Sequence, residues 1–402
     1  MVTAERRIYS ESPDYKSSEL QRAENTINQL KVNYGPYVLY KAGLPGYPRA
    51  FIRDMTKSGR LAQDSEMLAG AIAFGGDMQA KKIDPKTGAY PGGILHEFDF
   101  ELRDGVELDG RPGRNTMFNA CDTTAEWLIA HEDYAGITMD QGLVRRYQTE
   151  IADAGRYIAD HVDSDGHFVE DPGFSNADSF ALKVTYWRDS VLPGRESGEA
   201  TYPVVYPLAH IQNIAGLRSM ARLTGLESAR KLAEKMIRSL PDLYNPKTRS
   251  FFLAIDGDGP IEGVSSDSLH ALAYLEPGDL PPEIEENLVL ASEILETEWG
   301  YRPLEPELAQ KTHDTYHTDP VWPHEQAATY IGINTHLRWA REHGFKSLIG
   351  ALEHASEISR RPNRYYDENP GSYAETFLNG KPSGCDIQLW SVAARKAYLM
   401  AT

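Results

Sequence analysis

Hydrophobic side chains recur along this chain at intervals of three and four residues, the spacing of amphipathic helices. The pattern predicts an all-α protein with about eleven helices. Strand signal is almost absent, because the one alternating stretch, Tyr202 to Val205, is short and is interrupted by Pro203. The predicted helices cover residues 20–32, 59–79, 123–133, 143–161, 206–223, 226–240, 265–275, 282–299, 325–342, 346–358 and 384–400.

The connections between these helices are long, and three of them are alike. Residues 84–90, 163–168 and 245–251 each place a turn-forming Asx or Gly cluster before an aromatic residue, which indicates a faint repeat of helical units. No Pro/Gly/Ser-rich linker divides the chain. Residues 1–402 are therefore expected to form a single domain, a closed toroid of paired helices with its long loops on one rim. An open helical solenoid is the alternative.

Charge narrows the range of partners. Lys and Arg number 41 against 59 Asp and Glu, for a net charge of −18, so polyanions such as nucleic acid and anionic membrane surfaces are disfavoured. Two cysteines suit a reducing compartment, and the segment from Met1 to Pro13 lacks the apolar core of a signal peptide. We expect a cytoplasmic protein that has no nucleic-acid or membrane partner. Its oligomeric state is left open.

Familiar cofactor motifs are missing from the sequence. It contains no phosphate-binding or dinucleotide-binding glycine loop, no zinc-protease histidine pair, no C-x-x-C pair and no serine-hydrolase elbow. Aspartates at 163, 165, 256 and 258 lie in turns, without the further oxygen ligands of a calcium loop. We therefore predict no cofactor and no metal.

What remains is a set of segments in which Trp, Tyr and Arg accompany carboxylates, at residues 51–54, 118–127, 185–190, 316–326 and 373–391. An adjacent Arg–Asp pair can hold two neighbouring hydroxyls, one as donor and one as acceptor. Burial would raise the pKa of Asp122 and suit it to act as a general acid, although helix capping is an alternative role. Glu375 is suited to deprotonate a water. Two carboxylates about 6.5–9.5 Å apart across a cavity are what an inverting glycosidase needs.

The order of these motifs resembles the amylo-α-1,6-glucosidase domain of glycogen debranching enzymes. It is similar also to the processing α-glucosidases and to the glucosylglycerate and mannosylglycerate hydrolases, over about residues 48–400. The resemblance implies an (α/α)6 barrel that hydrolyses sugars from the non-reducing end with inversion. It rests on Arg53-Asp54, His96-Glu97, Asn119 to Thr124, Trp187 to Ser190, Val321 to His324, Glu375 and Gly384 to Ser391.

Roles follow from the resemblance position by position. It implies that Asp122 is the general acid and Glu375 the general base. We take Glu325 as the next candidate for the base. The substrate-binding residues that we predict are Arg53, Asp54, His96, Glu97, Asn119, Trp127, Tyr186, Trp187, Arg188, Asp189, His317, Trp322, His324, Glu325, Gln388 and Trp390.

The expected substrate is a small carbohydrate with a terminal α-linked sugar, most simply α-glucosyl. Ala125-Glu126-Trp127 and Thr318-Asp319-Pro320 depart from the debranching pattern, which favours a disaccharide or a sugar linked to a small polyol or acid over glycogen. Two alternatives stay open. One is a sugar epimerase or isomerase that uses His210, His317 or His324. The other is a carbohydrate-binding protein without catalysis.

Overall fold

Helices dominate the computed structural model, which describes residues 13–100 and 117–401. The N-terminal segment discussed above therefore lies outside the described residues up to position 12. The helices are α1 Pro13–Leu30, α2 Ile52–Ala62, α3 Ser65–Asp77, α4 Thr123–Thr138, α5 Gly142–Arg146, α6 Gln148–Asp160, α7 Pro207–Thr224, α8 Glu227–Arg238, α9 Asp267–His270, α10 Pro282–Ala291, α11 Pro306–Lys311, α12 Pro323–His343, α13 Lys346–Arg360, α14 Pro362–Glu368 and α15 Leu389–Met400.

Six of these helices form a closed inner ring. In ring order they are α2, α4, α7, α9, α12 and α15; each packs against the next, and α15 packs against α2. An outer helix precedes each of them in the chain: α1, α3, α6, α8, α10 and α13. Because the last inner helix meets the first, the toroid is closed, which confirms that prediction over the open solenoid.

Short hairpins decorate this ring, and within the described residues the strands form seven two-stranded sheets. Two of the pairings join distant segments near the ends of the inner helices: β3 with β14, and β4 with β5. The strands are β1 Lys31–Tyr34, β2 Tyr37–Tyr40, β3 Gly43–Leu44, β4 Ala50–Phe51, β5 Glu97–Phe98, β6 Tyr244–Asn245, β7 Ser250–Phe251, β8 Ala254–Asp256, β9 Gly259–Ile261, β10 Glu296–Thr297, β11 Gly300–Tyr301, β12 Thr376–Leu378, β13 Lys381–Ser383 and β14 Ile387–Gln388.

Local sequence signals explain where many helices begin and end. Pro207 and Pro323 occupy first positions of α7 and α12, and Gly225 and Gly344 end the same helices in the left-handed conformation. The helix predicted over residues 59–79 is wrong as a single element. Gln63 adopts a φ of 53°, and the side chain of Asp64 caps α3 by accepting a hydrogen bond from the Met67 amide at 3.0 Å.

Hydrophobic side chains fill the space between the two rings in one extended buried cluster. No helix among the described residues has the length and apolarity needed to cross a membrane. The inner ring itself is closely packed: a Cβ added to Gly332 on α12 would lie 2.5 Å from the Ala273 backbone nitrogen.

This close approach generates a stability prediction. Gly332→Ala should lower the free energy of unfolding by about 1–3 kcal/mol, because the added methyl would force the crossing segments apart. Gly350→Ala is the matched control, since its added Cβ on α13 meets nothing within 4 Å. The control should gain about 0.5–1 kcal/mol from helix propensity. Urea unfolding followed by circular dichroism measures both, and equal effects would contradict the packing argument.

Candidate active site

A pocket opens at the rim where α2, α12 and α15 begin. It encloses about 340 Å³ of space that protein atoms leave free, its mouth included. Residues from the first turns of α2 and α15 meet loop residues that precede α7, α12 and α15. The lining residues are Ala42, Tyr47, Phe51, Arg53, Asp54, Trp187, Asp189, Tyr316, His317, Trp322, Glu375, Gln388 and Trp390.

Aromatic rings build the walls of this pocket. Trp322 lies edge-to-face with both Trp187 and Trp390, at ring-centroid distances of 5.8 and 5.6 Å. His317 stacks on Trp322 at 4.8 Å, and His324 stacks on Trp390 at 4.0 Å. These contacts hold the indole rings in fixed orientations, so that they present rigid apolar surfaces to a ligand.

Glu375 is held by two donors. The Tyr316 hydroxyl donates to Oε1, and the Cys385 backbone N–H donates to Oε2 at 2.9 Å. The Tyr47 hydroxyl lies 3.2 Å from that of Tyr316 and extends the chain of hydroxyls toward the mouth. Burial raises the pKa of Glu375, and the two hydrogen bonds oppose that rise by favouring the anion. The site therefore fixes this carboxylate in orientation while it lines the pocket.

Arg53 lies among three carboxylates. Its Nη2 is 2.8 Å from Asp189 Oδ2, its Nη1 is 3.6 Å from Asp122 Oδ1, and its Nε is 3.9 Å from Asp54 Oδ2. Burial raises the pKa of Asp54 to about 7 and raises that of Asp189, while Arg53 opposes both shifts. Burial can therefore keep a proton on Asp54 near neutral pH, and it shifts the pKa of Asp189 in the same direction.

The structure places Asp122 behind this pocket and not on its wall. The residue is fully buried, at 0% exposure, and Lys57 Nζ lies 3.9 Å from Oδ2. The same row of charges continues along the inner ring, where Lys57 and Arg60 approach Glu126 at 3.7 and 2.8 Å. Asp122 is therefore not among the residues that line the pocket, and the acid role predicted for it stays a prediction. Its side chain makes no helix-capping hydrogen bond either.

The loop that carries Asp189 is anchored by Asp267 at the start of α9. The Tyr186 hydroxyl and Trp187 Nε1 each donate to Asp267 at 2.8 Å, and Arg188 Nη1 lies 3.3 Å from Oδ2. Three consecutive side chains are thus tied to one carboxylate. Sequence reasoning missed Asp267, because it lies about 80 residues from its partners and carries no local signal.

The pocket brings together nine of the residues predicted from the sequence: Arg53, Asp54, Trp187, Asp189, His317, Trp322, Glu375, Gln388 and Trp390. It adds residues that the prediction omitted: Ala42, Tyr47, Phe51 and Tyr316. Phe51 and Tyr316 lie inside the segments 51–54 and 316–326, which the sequence had indicated by their aromatic, Arg and carboxylate residues.

The other predicted residues are not among those that line the pocket. Trp127 donates from Nε1 to the Ile72 carbonyl at 3.1 Å, and Glu97 pairs with Arg49 at 2.5 Å. Glu325, proposed above as a second choice of base, is fully buried and accepts a hydrogen bond from Ser266. The remaining members of this group are His96, Asn119, Tyr186, Arg188 and His324, all of them buried.

One group of described side chains has potential metal ligands close together. Atoms of Asp267, His270 and Glu325 lie within 4.8 Å of one another. Asp267 already accepts hydrogen bonds at both oxygens from the loop described above. We assign no metal to this group.

Solved structures share this architecture. A GH63 mannosylglycerate hydrolase from Thermus thermophilus, in complex with Tris and D-glycerate, superimposes with a TM-score of 0.65 at 13% identity, over 96% of this chain and 100% of that one. A glycosidase in complex with glucose gives 0.62 at 12% identity, over 97% and 98%. A rhamnosidase from Klebsiella oxytoca with rhamnose bound gives 0.59 at 11%, over 97% of this chain and 64% of that one.

At such identities the comparison establishes the fold, and it confirms the (α/α)6 barrel expected from the sequence resemblance. No family model matches the sequence, and no curated protein does.

The anchoring role of Asp267 can be tested by stability. Asp267→Asn should lower the free energy of unfolding by about 3–5 kcal/mol, because it removes the counterion of buried Arg188 and misplaces an amide N–H against its donors. Asp386→Asn is the control, an exposed aspartate near the same rim, and it should stay within about 0.5 kcal/mol of the parent. Denaturant unfolding compares the free energies of unfolding of the two variants. An Asp267→Asn variant as stable as the parent would contradict the anchoring role.

Proposed function

We propose that this protein is an exo-acting, inverting glycoside hydrolase that removes a terminal α-linked sugar, α-glucosyl in the simplest case, from a small oligosaccharide or sugar conjugate. The observation that carries the proposal is that Asp189 and Glu375 line one tryptophan-walled pocket together with the Arg53–Asp54 pair. In such a pocket one carboxyl protonates the leaving oxygen and the other activates a water. The shared fold of known glycosidases supports the proposal.

Glu375 keeps the general-base role that the sequence suggested for it. Hydrogen bonds from Tyr316 and Cys385 stabilise its anionic form, and a base must be ionised before it can take a proton from water. The Asp54 carboxyl group, positioned by Arg53, binds a hydroxyl of the sugar, while the indole faces pack against the ring.

The proton donor in this proposal is Asp189 in place of Asp122. A general acid must come within hydrogen-bond reach of the oxygen that it protonates. The Asp189 side chain is 26% exposed and lines the pocket, whereas that of Asp122 is 0% exposed. Burial raises the pKa of Asp189 and of Asp122 alike, so access to the pocket, and not the pKa, distinguishes the two. Asp122 becomes a positioning residue that helps to hold Arg53.

The epimerase alternative has less support. Of its three candidate histidines only His317 lines the pocket, and its Nδ1 lies 2.7 Å from the Ser190 hydroxyl. His210 is bonded on both sides, at 3.0 Å by the Phe168 amide and at 3.1 Å to the Met236 carbonyl. Burial lowers the pKa of both histidines and of His324. A cytoplasmic location accords with two free buried cysteines and stays a prediction.

The function is tested by incubating the protein with a panel of small α-glucosides and α-mannosides and recording proton NMR spectra at early times. The expected result is release of the terminal sugar, first seen as the β-anomer. Glu375→Gln should lower kcat by about 10²–10⁴-fold and leave product binding intact. First release of the α-anomer would contradict inversion, and an intact panel after prolonged incubation would contradict the hydrolase.

The identity of the acid is tested by leaving groups. Asp189→Asn should lower kcat/KM by about 10²–10⁴-fold for alkyl glycosides but far less for glucosyl fluoride, because fluoride departs without a proton from the enzyme. Asp122→Asn is the matched comparison and should lower kcat/KM by a similar factor for both substrates. Asp122→Asn or Asp54→Asn could instead lower kcat/KM for the alkyl glycosides and leave that for glucosyl fluoride unchanged. In that case the substituted residue is the proton donor, and Asp189 is not.

A further inference from the structure

We propose that the pocket accepts uncharged glycosides and discriminates against glycosides whose aglycone carries a carboxylate. This inference rests on the proposed function and specifies its substrate class. It starts from a count of charges on the wall: three carboxyl groups, of Asp54, Asp189 and Glu375, face one guanidinium, that of Arg53.

Arg53 has no capacity left for an anionic ligand. Its side chain is 3% exposed and lies among three carboxylates, the nearest 2.8 Å away. The two nitrogens that lack a hydrogen bond, Nε and Nη1, are buried and point at Asp54 and Asp122. A ligand carboxylate would have to displace one of these partners and leave it uncompensated.

Neighbouring cations of the described residues are engaged elsewhere. Arg188 binds Asp267 and donates to the His317 carbonyl at 3.1 Å, below the wall. Lys57 is buried between Asp122 and Glu126. Arg49 pairs with Glu97 and with Asp99. Within the part of the chain that the structure describes, the pocket wall therefore offers no ammonium or guanidinium group that is unmatched by a carboxylate.

The charge state needed for hydrolysis strengthens this conclusion. With Glu375 ionised as the base, its negative charge already balances that of Arg53, and ionisation of Asp54 or Asp189 makes the pocket negative. A carboxylate entering beside Glu375 would lose its water and meet a like charge. Hydroxyl groups face no such cost, because carboxylate oxygens, the Gln388 amide and the Tyr47 hydroxyl can all pair with them.

The expected specificity differs from that suggested by one structural neighbour. The mannosylglycerate hydrolase of similar fold was solved with D-glycerate, a carboxylate. The two chains share a fold at 13% identity, and the wall of the present pocket argues for a different aglycone. Small polyols and neutral sugars are the class that it suits.

The test uses two matched substrate pairs, glucosylglycerol with glucosylglycerate and mannosylglycerol with mannosylglycerate, on the wild-type protein. Within a pair only a hydroxymethyl group is exchanged for a carboxylate. For the accepted sugar, kcat/KM should favour the glycerol conjugate by about tenfold or more. Raising the salt concentration should narrow the gap by screening the repulsion of the anion. Calorimetric titration of each conjugate into the Asp189→Asn variant, which keeps the Glu375 carboxylate, gives the same comparison without turnover.

Glu342→Lys is the matched control. This exposed glutamate lies near the C-terminal end of α12, roughly 30 Å along the helix from the pocket, by the rise per residue. It changes the net charge by two without altering the wall, so the preference within each pair should persist. A preference abolished by Glu342→Lys would assign the selectivity to long-range charge and overturn the pocket argument.

Failure of this inference is distinguishable from failure of the proposed function. Equal or better cleavage, or equal or tighter binding, of the glycerate conjugates overturns the charge selectivity and leaves a glycoside hydrolase in place. If no glycoside is cleaved, the hydrolase proposal fails, and titration still tests the charge selectivity. Selective binding of the glycerol conjugates supports the selectivity. Equal binding of both conjugates, or binding of neither, overturns it.

Discussion

A guanidinium held almost out of reach of water organises this pocket. Arg53 stands in the first turn of an inner helix, and three surrounding carboxyl groups compensate its buried positive charge. Those carboxylates come from its own helix, from the start of α4 and from the loop before α7. One buried charge thus couples three separate parts of the chain, and a shift in any of them would leave a charge unpaired. This constraint places Asp189 on the wall.

Two further anchors complete the frame around that charge. Asp267 binds the side chains on the N-terminal side of Asp189, and the pair formed by Tyr316 and the Cys385 amide orients Glu375. Asp189 and Glu375 are carried by loops, and hydrogen bonds to buried groups fix each loop in place. The barrel also contributes rigidity. Because the inner ring of helices is closed, the helix ends that carry these loops are held at fixed distances from one another.

Environment divides the acidic residues of the site into different tasks. Glu375 receives two hydrogen bonds that favour its anion, whereas Asp54 lies in a desolvated position that brings its pKa to about 7. Asp122 and Glu126, deeper in the ring, neutralise Lys57 and Arg60. Residues of the same chemical type therefore occupy three environments: a hydrogen-bonded carboxylate on the pocket wall, a desolvated carboxyl group beside a guanidinium, and counterions of buried cations. Carboxyl groups outnumber guanidinium groups among the described residues of the pocket wall, by three to one.

The amino-acid sequence by itself determined the helical class, several helix ends and most of the pocket wall. Periodicity, proline and glycine signals act locally, and the aromatic–carboxylate segments are visible as short runs, as Trp187 to Asp189 and Glu375 illustrate. Tertiary structure alone decided that Asp122 is buried beside Arg53, that Tyr47 and Tyr316 join Glu375, and that Asp267 anchors a loop about 80 residues away. Exposure and distance between remote residues depend on how the ring closes, and no local pattern encodes them.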